Sequence, residues 1–295
     1  MTMHLRLFPP SLRLSGVVVL CALVLASCGP AANQTATKAN PYDQAKDAFK
    51  SGDLDRALDL TDDLAISSSS SEYAGRARML RAVIYAGEMK SAKELAEAYA
   101  KGADKSKNPR FQTEYRRLRG DNLQAAAKAA LNVAETAHQI APNGKIPGEL
   151  TLEASFPATE GPTQVKELAL VVEGGWLEPD QQQTAAAEAL RKGVDDALAD
   201  AVSGDRAKAR DALSGGSVKL TGTAAALFLA HELAAGAVVF DRHHGRDPQR
   251  LLTLCDEGDQ TVEAALAGLK QSPNKDQEKA AAKLQAKFID LRKDK

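Results

Sequence analysis

Aromatic side chains are scarce in this chain: Phe, Trp and Tyr together make up 4% of its 295 residues, and Trp176 is the only tryptophan. Alanine is the favoured apolar residue within a hydrophobic content of 44%. Because alanine has the highest helix propensity and lets helices approach closely, this composition predicts an all-α fold packed through small side chains.

An excess of basic residues is also absent. The formal net charge is −1, and removal of Arg6 and Arg13, the only charged residues before Cys28, leaves about −3. Proteins that bind nucleic acid carry a clustered excess of Lys and Arg that neutralises phosphates. We therefore expect no nucleic-acid partner.

Cysteine is limited to Cys21, Cys28 and Cys255. Cys21 lies in a predicted N-terminal signal that is removed and Cys28 is the residue that follows its predicted cleavage site and is expected to be modified, so Cys255 stands alone in an oxidising compartment and has no partner for an intramolecular disulfide. Its surroundings, LLTLCDEG, favour a small core residue of a helix, with a nucleophile as the alternative.

Motifs that carry catalysis or hold cofactors are missing as well. The chain contains no G-x-S-x-G elbow, no phosphate-binding glycine loop and no CxxC pair. His231 and Glu232 match the start of the zinc-protease motif H-E-x-x-H, but Ala235 stands where the second imidazole is needed. We therefore predict no enzyme activity, no cofactor and no metal, and interpret this pair as part of an apolar helix.

The N-terminal region has the three parts of a secretory signal. A basic lead is followed by the apolar stretch Leu14–Ala26. A helix of that length reaches about 20 Å, which is short of the roughly 30 Å hydrocarbon core of a bilayer. The stretch closes in Leu25, Ala26, Ser27 and Cys28, which resembles the signal-peptidase motif of bacterial lipoproteins.

The lipoprotein resemblance implies that residues 1–27 are removed and that Cys28 becomes the lipidated N-terminus. Two or more acyl chains, such as palmitate, anchor a protein stably, whereas one does not. Residues 28–41 then read as a polar tether, and Gly29, in place of the aspartate that retains such proteins at the inner membrane, implies the periplasmic side of the outer membrane. The alternative is an ordinary secreted protein cut near Cys28.

Residues 42–140 contain a recurring pattern of a glycine followed five residues later by an alanine. The spacing between copies is 35 and then 33 residues, which is typical of helix-turn-helix solenoids. Each glycine is expected to end one helix, and each alanine to lie where the next helix crosses it. The pairs are Gly52 and Ala57, Gly87 and Ala92, and Gly120 and Ala125.

This pattern resembles the tetratricopeptide repeat, which implies stacked antiparallel helix pairs over about a third of the chain. A plain helical bundle is the alternative, because an alanine-rich helix matches much of the pattern. The prolines that usually close such repeats are missing from the first two copies.

The remaining chain divides into two regions. Residues 141–178 are rich in Pro and Gly and are predicted to form a connector, with an extended piece at ELTLEASF and one short helix at Gln164–Glu173. Residues 179–295 are predicted to form a second, bundle-like helical region. In it, Thr223–Phe240 is apolar nearly all round and should be buried, and Lys275–Lys293 should form the last helix.

One turn of the C-terminal region gathers Arg242, His243, His244 and Arg246. It is interpreted either as an anion contact or pH-sensitive hinge, or as a solvated loop before a helix that starts at Pro248. Adjacent histidines point about 100° apart on a helix, which is poor geometry for a metal.

A lipid-anchored helical body without a catalytic constellation favours a non-enzymatic scaffold, whose groove holds a segment of an unknown envelope protein. The candidate contacts are Tyr42, Lys46 and Lys50 on the first helix, and Trp176 as an aromatic anchor. For Trp176 the alternative is that it fills a packing gap.

Two other functions stay open. The stretch 42–100 is similar to the tetratricopeptide lipoprotein of the outer-membrane β-barrel assembly machine, through Tyr42, Gly52-Asp53, Ala57-Leu58 and the segment SSEYA at residues 70–74. That resemblance implies a component of such a machine. The second alternative is an envelope enzyme or small-molecule-binding lipoprotein with a site near Trp176 and His231.

Overall fold

The computed structural model describes residues 40–66, 72–155, 157–241, 243–244 and 247–293. These residues form ten α-helices and one small two-stranded sheet, which confirms the prediction of an all-α fold. The signal segment, Cys28 with its motif, most of the tether, and Arg242 and Arg246 lie outside the described residues.

The elements follow one another along the chain with three short 3-10 turns between them. They are α1 (Pro41–Ser51), α2 (Leu54–Ile66), α3 (Glu72–Lys105), α4 (Pro109–Ile140), β1 (Glu149–Leu152), α5 (Glu167–Val172), α6 (Pro179–Val202), α7 (Arg206–Ala212), β2 (Val218–Thr221), α8 (Gly222–Ala237), α9 (Pro248–Gln271) and α10 (Lys275–Lys293), with 3-10 turns at Pro142–Gly144, Leu213–Gly215 and Val238–Phe240.

Helices α1 and α2 form the first predicted helix pair. Gly52 ends α1 in the left-handed conformation, with φ of 84°, and the Asp53 N–H donates to the Ala48 carbonyl at 2.9 Å. The Asp53 carboxylate accepts from the Arg56 N–H at 3.2 Å and so caps α2. Ala57 is fully buried where the two helices cross.

The turns predicted at Gly87 and Gly120 are wrong. Both glycines lie inside continuous helices, α3 and α4, each more than 30 residues long. Glycine lowers helix stability by only about 1 kcal/mol, so packing decides whether the helix continues. Ala92 and Ala125 consequently belong to these same helices, and the expected succession of short helix pairs is not confirmed beyond α1 and α2.

Gly87 has a packing role in place of a turn. A Cβ atom there would lie 2.6 Å from Val194 Cγ2 and 2.8 Å from Val194 Cα on α6. Facing it, a Cβ on Gly193 would lie 2.3 Å from the Gly87 carbonyl oxygen. The two glycines therefore let the backbones of α3 and α6 come into direct contact. Nothing lies within 4 Å of the Cβ position of Gly120, and no packing explains that glycine.

The two helical regions share one core. Residues 39–295 form a single compact unit, and its main apolar cluster joins Met89 and Val133 of the first region to Leu198, Leu229 and Leu254 of the second. Helix α3 packs against both α4 and α6, and α8 packs against α4, α9 and α10.

The connector contains the expected extended piece and short helix. Strand β1 pairs antiparallel with β2, with Leu150 opposite Leu220, and the partner strand β2 was not predicted. Helix α5 is shorter than expected, and Gly174 ends it with φ of 82°. A second, smaller apolar cluster joins this connector to α3, α4 and α6.

Helix α8 and the 3-10 turn after it, Gly222–Phe240, form the one stretch among the described residues that is long and apolar enough to cross a membrane. Inside the protein, 67% of that stretch is buried. A core helix passes the same test of length and composition. Its burial agrees with the prediction that Thr223–Phe240 is a buried helix.

Candidate binding groove

A surface groove of about 690 Å³ lies between α2, α3, α4 and the first half of α6. Pockets of this volume are of the size that binds ligands in proteins. We call it the α2–α4 groove. Its lining is formed by Asp55, Leu58, Asp59, Asp62, Arg81, Tyr85, Glu88, Ser91, Ala92, Leu95, Asn122, Ala125, Lys128, Ala129, Asn132, Ala186 and Leu190.

One wall of the groove is acidic. Asp55, Asp59 and Asp62 follow one another on α2 at i, i+4 and i+7, which places them on one face of the helix. All three are exposed. Asp55 and Asp59 make no ion pair with any described residue. The wall therefore presents a line of negative charge about 10 Å long.

The cation nearest to that wall is already bound inside the protein. Arg81 donates to the Leu58 carbonyl at 2.9 Å and to the Tyr85 hydroxyl at 2.8 Å, and it pairs with Asp62 at 3.0 Å. These bonds hold the guanidinium against α2. Arg81 therefore balances Asp62 and leaves Asp55 and Asp59 without a counter-ion.

Glu88 is an acid of the groove whose pKa responds to its surroundings. Its carboxyl is half-buried on α3, and burial, followed by the negative charge of Asp55, raises its pKa, while Lys128 acts in the opposite direction. No described residue forms an ion pair or hydrogen bond with it. A cation that enters the groove would favour the charged form of the Glu88 carboxyl and so oppose the effects of burial and of Asp55 on its pKa.

The floor of the groove combines apolar side chains with the hydroxyl of Ser91. Ala92, Leu95 and Ala129 are buried, and Leu58 and Leu190 are half-buried. Ser91 is only 5% exposed as a residue, but its hydroxyl oxygen makes no hydrogen bond with a described residue and is open to solvent in the groove. The groove thus offers alkyl surface and an unused hydrogen-bonding group beneath its acidic wall.

The predicted contacts on α1 do not line this groove. Tyr42 is fully buried, with its ring 5.7 Å from that of Tyr73, and its hydroxyl donates to the Glu153 carbonyl. The prediction of Tyr42 as a partner contact is therefore wrong, because its ring is needed in the core. Lys46 pairs with Asp43 at 2.9 Å and with Glu153 at 3.3 Å. Lys50 is exposed in the last turn of α1.

Trp176 lies in the smaller apolar cluster, away from the groove. It stacks on Phe111 with ring centroids 4.9 Å apart and lies 5.5 Å from the Tyr115 ring. The Tyr115 hydroxyl donates to the Gly175 carbonyl next to it. This geometry agrees with the interpretation of Trp176 as a residue that fills a packing gap.

A buried ionic cluster surrounds Glu232 on α8. Lys90 Nζ lies 2.8 Å from Glu232 Oε1 and 2.9 Å from Asp200 Oδ2, and His231 Nε2 lies 3.9 Å from Asp200. Glu232 is fully buried, and its Oε2 has no hydrogen-bond partner among the described residues.

Burial is the dominant influence on this cluster. It raises the pKa of Glu232 despite the nearby Lys90 and His231. Burial also opposes the charge of Lys90, but the attraction of Glu232 and Asp200 outweighs it and raises the pKa of that ammonium group.

Asp200, His231 and Glu232 offer three potential metal-ligand atoms within 4.8 Å of one another. The sequence motif showed only two of these residues, because Asp200 comes from α6. The Lys90 ammonium lies between the two carboxylates, where a cation would have to bind. The cluster therefore has its counter-ion within the chain.

Two further sequence candidates have structural positions. The Asp241 carboxylate accepts from the backbone N–H groups of His243 and His244 and contacts His244 Nδ1 at 2.7 Å, so it caps the turn that contains both histidines. Cys255 is fully buried on α9, and burial raises the pKa of its thiol to about 11. This environment matches a core residue rather than a nucleophile.

The α2–α4 groove contains none of the predicted contact residues, although Ala92 and Ala125, predicted for packing, lie in its lining. The spacing of Asp55, Asp59 and Asp62 in the sequence indicates one polar helix face. The sequence does not indicate which side chains α3 and α4 place opposite that face.

Comparisons with protein-family models, curated proteins and solved structures found no match to this chain.

Proposed function

We propose that this protein is a lipid-anchored, non-enzymatic interaction module of a bacterial cell envelope, which binds a segment of a partner protein in the α2–α4 groove. The observation that carries the proposal is the groove itself. It is open to solvent, is formed by long helices packed on the main core, and combines unpaired carboxylates with an apolar floor.

The anchoring part of the proposal rests on residues 25–28. If Cys28 carries the lipid, twelve residues separate it from the start of α1 at Pro41. At no more than about 3.5 Å per residue, they allow the helical body to move about 40 Å from the membrane surface. The groove would then meet partners that are close to the same membrane, and we propose the periplasmic side of the outer membrane as that place.

The chemistry of the groove supports binding rather than catalysis. Its described lining residues offer carboxylates, amides, alkyl groups, the hydroxyls of Tyr85 and Ser91 and the ammonium group of Lys128, with Arg81 held in internal bonds. Ser91, Tyr85 and Lys128 carry groups that act as nucleophiles in enzymes, but no described histidine lines the groove to serve as their base.

The assembly-machine alternative has less structural support. That resemblance implies short helix pairs that continue in phase, whereas α3 and α4 run through Gly87 and Gly120 without a turn. The ionic cluster at Glu232 is the geometric basis for a small-molecule site, but Lys90 already balances it. We therefore propose neither as the function.

Photo-crosslinking in membranes tests the proposal. A crosslinking amino acid would replace Ala125 or Ala186, which are exposed in the groove, and, as a control, Ile289, which is 57% exposed on α10. We expect the two groove positions to link to the same protein partner and the control position not to do so. Equal labelling from all three positions, or no protein adduct from the groove, would contradict the proposal.

A further inference from the structure

The partner segment has a chemistry that the groove itself indicates. Resting on the proposed function, we infer that the α2–α4 groove binds a cationic amphipathic segment, in which Lys or Arg side chains face α2 and apolar side chains face the floor.

Charge complementarity is the first argument. Four carboxylates line the groove, those of Asp55, Asp59, Asp62 and Glu88, against the two cations Arg81 and Lys128. Arg81 is tied to Asp62, Leu58 and Tyr85. Lys128 makes no ion pair with a described residue, so three unpaired carboxylates, those of Asp55, Asp59 and Glu88, face one unpaired cation. The charge that remains is negative, and an anionic or neutral segment would leave it uncompensated.

The buried groups at the floor provide an independent argument. The Glu88 carboxyl is half-buried and makes no ion pair with a described residue, and Ser91 is 95% buried with its unpartnered hydroxyl oxygen open to the groove. A ligand that displaces water from these polar atoms has to replace the hydrogen bonds of that water. A Lys ammonium or Arg guanidinium donates several hydrogen bonds and carries the positive charge that would pair with the Glu88 carboxylate.

The apolar floor favours a ligand with apolar side chains over a small hydrophilic cation. Leu58, Leu95 and Leu190 offer alkyl surface beside the carboxylates. Apolar side chains on the ligand would remove that surface from water at the same time as the charges pair. The spacing of Asp55, Asp59 and Asp62 suits basic side chains that recur about every 5 to 6 Å, one turn of a helix.

The test measures peptide binding to the purified full-length protein in detergent. Three synthetic peptides of one length would be compared: a Lys/Leu amphipathic peptide, its Glu/Leu counterpart and a Lys/Ser counterpart without apolar residues. We expect only the first to bind tightly, with an affinity that falls as salt is raised because the exposed charges are screened.

Two double variants remove the same charge at different places. Asp55→Asn with Asp59→Asn alters the groove, and Asp47→Asn with Asp63→Asn alters exposed positions on α1 and α2 outside its lining. We expect the groove variant to weaken binding of the Lys/Leu peptide at least tenfold and the control variant to change it less than twofold. Circular dichroism on both variants checks that they keep the wild-type fold.

Three results would overturn the inference. Equal weakening by both double variants would indicate non-specific attraction to an acidic protein. Equally tight binding of the Lys/Ser peptide or of a polyamine alone would indicate a site for small cations. Crosslinking from Ala125 and Ala186 to a partner that persists in the groove variant would leave the proposed function standing and show that its ligand is not cationic.

Discussion

At the scale of single residues, the contact between Lys90 and Glu232 is the one whose loss should affect the stability of the fold most. Glu232 is fully buried on α8, and Lys90 is its cationic partner on α3. A buried pair of this kind contributes little net stability compared with apolar residues, but removal of one partner leaves an uncompensated charge in the core.

Lys90→Met should therefore destabilise the protein by roughly 3 kcal/mol, measured by urea denaturation followed by circular dichroism. The double variant Lys90→Met with Glu232→Leu is the control, and it should recover most of that loss. If the double variant is as unstable as the single one, the effect comes from packing and not from charge.

The same single variant should respond to pH. Burial raises the folded-state pKa of Glu232 above its ordinary value of 4.5, and without Lys90 the rise is larger. Above pH 4.5 the folded state then binds more protons than the unfolded state, so stability falls as pH rises. Relative to wild type, Lys90→Met should gain stability as pH is lowered from 7.5 to 5.5, by up to about 1.4 kcal/mol per pH unit. A loss of stability over that range would contradict the assignment.

Cys255 provides a test of core burial that needs no substitution. The thiol has a pKa of about 11 and no exposed surface, so little thiolate is available at pH 8 and reagent cannot reach it. Alkylation by iodoacetamide, followed by mass spectrometry of the peptide that contains Cys255, should be slow in the native protein and complete in urea. Rapid native labelling would show that α9 is open at this position.

At the scale of helices, the glycines of α3 and α4 show why a sequence pattern and a structure can disagree. The period of 33 to 35 residues is real in the sequence, but of the three glycines Gly52, Gly87 and Gly120 only Gly52 ends a helix. A glycine that ends a helix and a glycine at which two helices cross look identical in the sequence. At Gly87 the neighbours that distinguish the two cases belong to α6, about 100 residues later in the chain. The strand β2 and the contribution of Asp200 to the ionic cluster at Glu232 were missed for the same reason, because each depends on residues far away in the sequence.

Gly87→Ala and Gly120→Ala form a matched pair that tests this difference. At Gly87 a methyl group would overlap backbone and side-chain atoms of Val194, so we expect a loss of about 1 to 3 kcal/mol in the free energy of unfolding. At Gly120 a methyl group meets nothing within 4 Å, so alanine should stabilise α4 by about 0.5 to 1 kcal/mol. Changes of the same sign in both variants would contradict the close contact of α3 and α6.

Elements with strong local signals were predictable. Helix α10 has the predicted bounds, Lys275–Lys293, and α6 begins at the predicted proline, Pro179. The extended piece at β1 followed from alternation of apolar residues. These features depend on neighbours in sequence, whereas the groove depends on how α2, α3, α4 and α6 pack, which local patterns do not encode.

At the scale of the whole molecule, residues 39–295 form one body in which α3 contacts both the first and the second helical region. This packing explains why the α1 contacts predicted from sequence are not part of the site. Tyr42 is needed in the core and Lys46 joins α1 to the connector through Glu153, which leaves the acidic face of α2 as the surface that borders the groove.

The most direct test of the account is the mass of the mature protein's N-terminus in its native host. We predict that the chain begins at Cys28, that this residue carries fatty acyl groups, and that Cys28→Ser abolishes both the acylation and the partition of the protein into detergent. An unmodified N-terminus at another residue, or a Cys28→Ser variant with unchanged processing and partition, would contradict a lipid-anchored module.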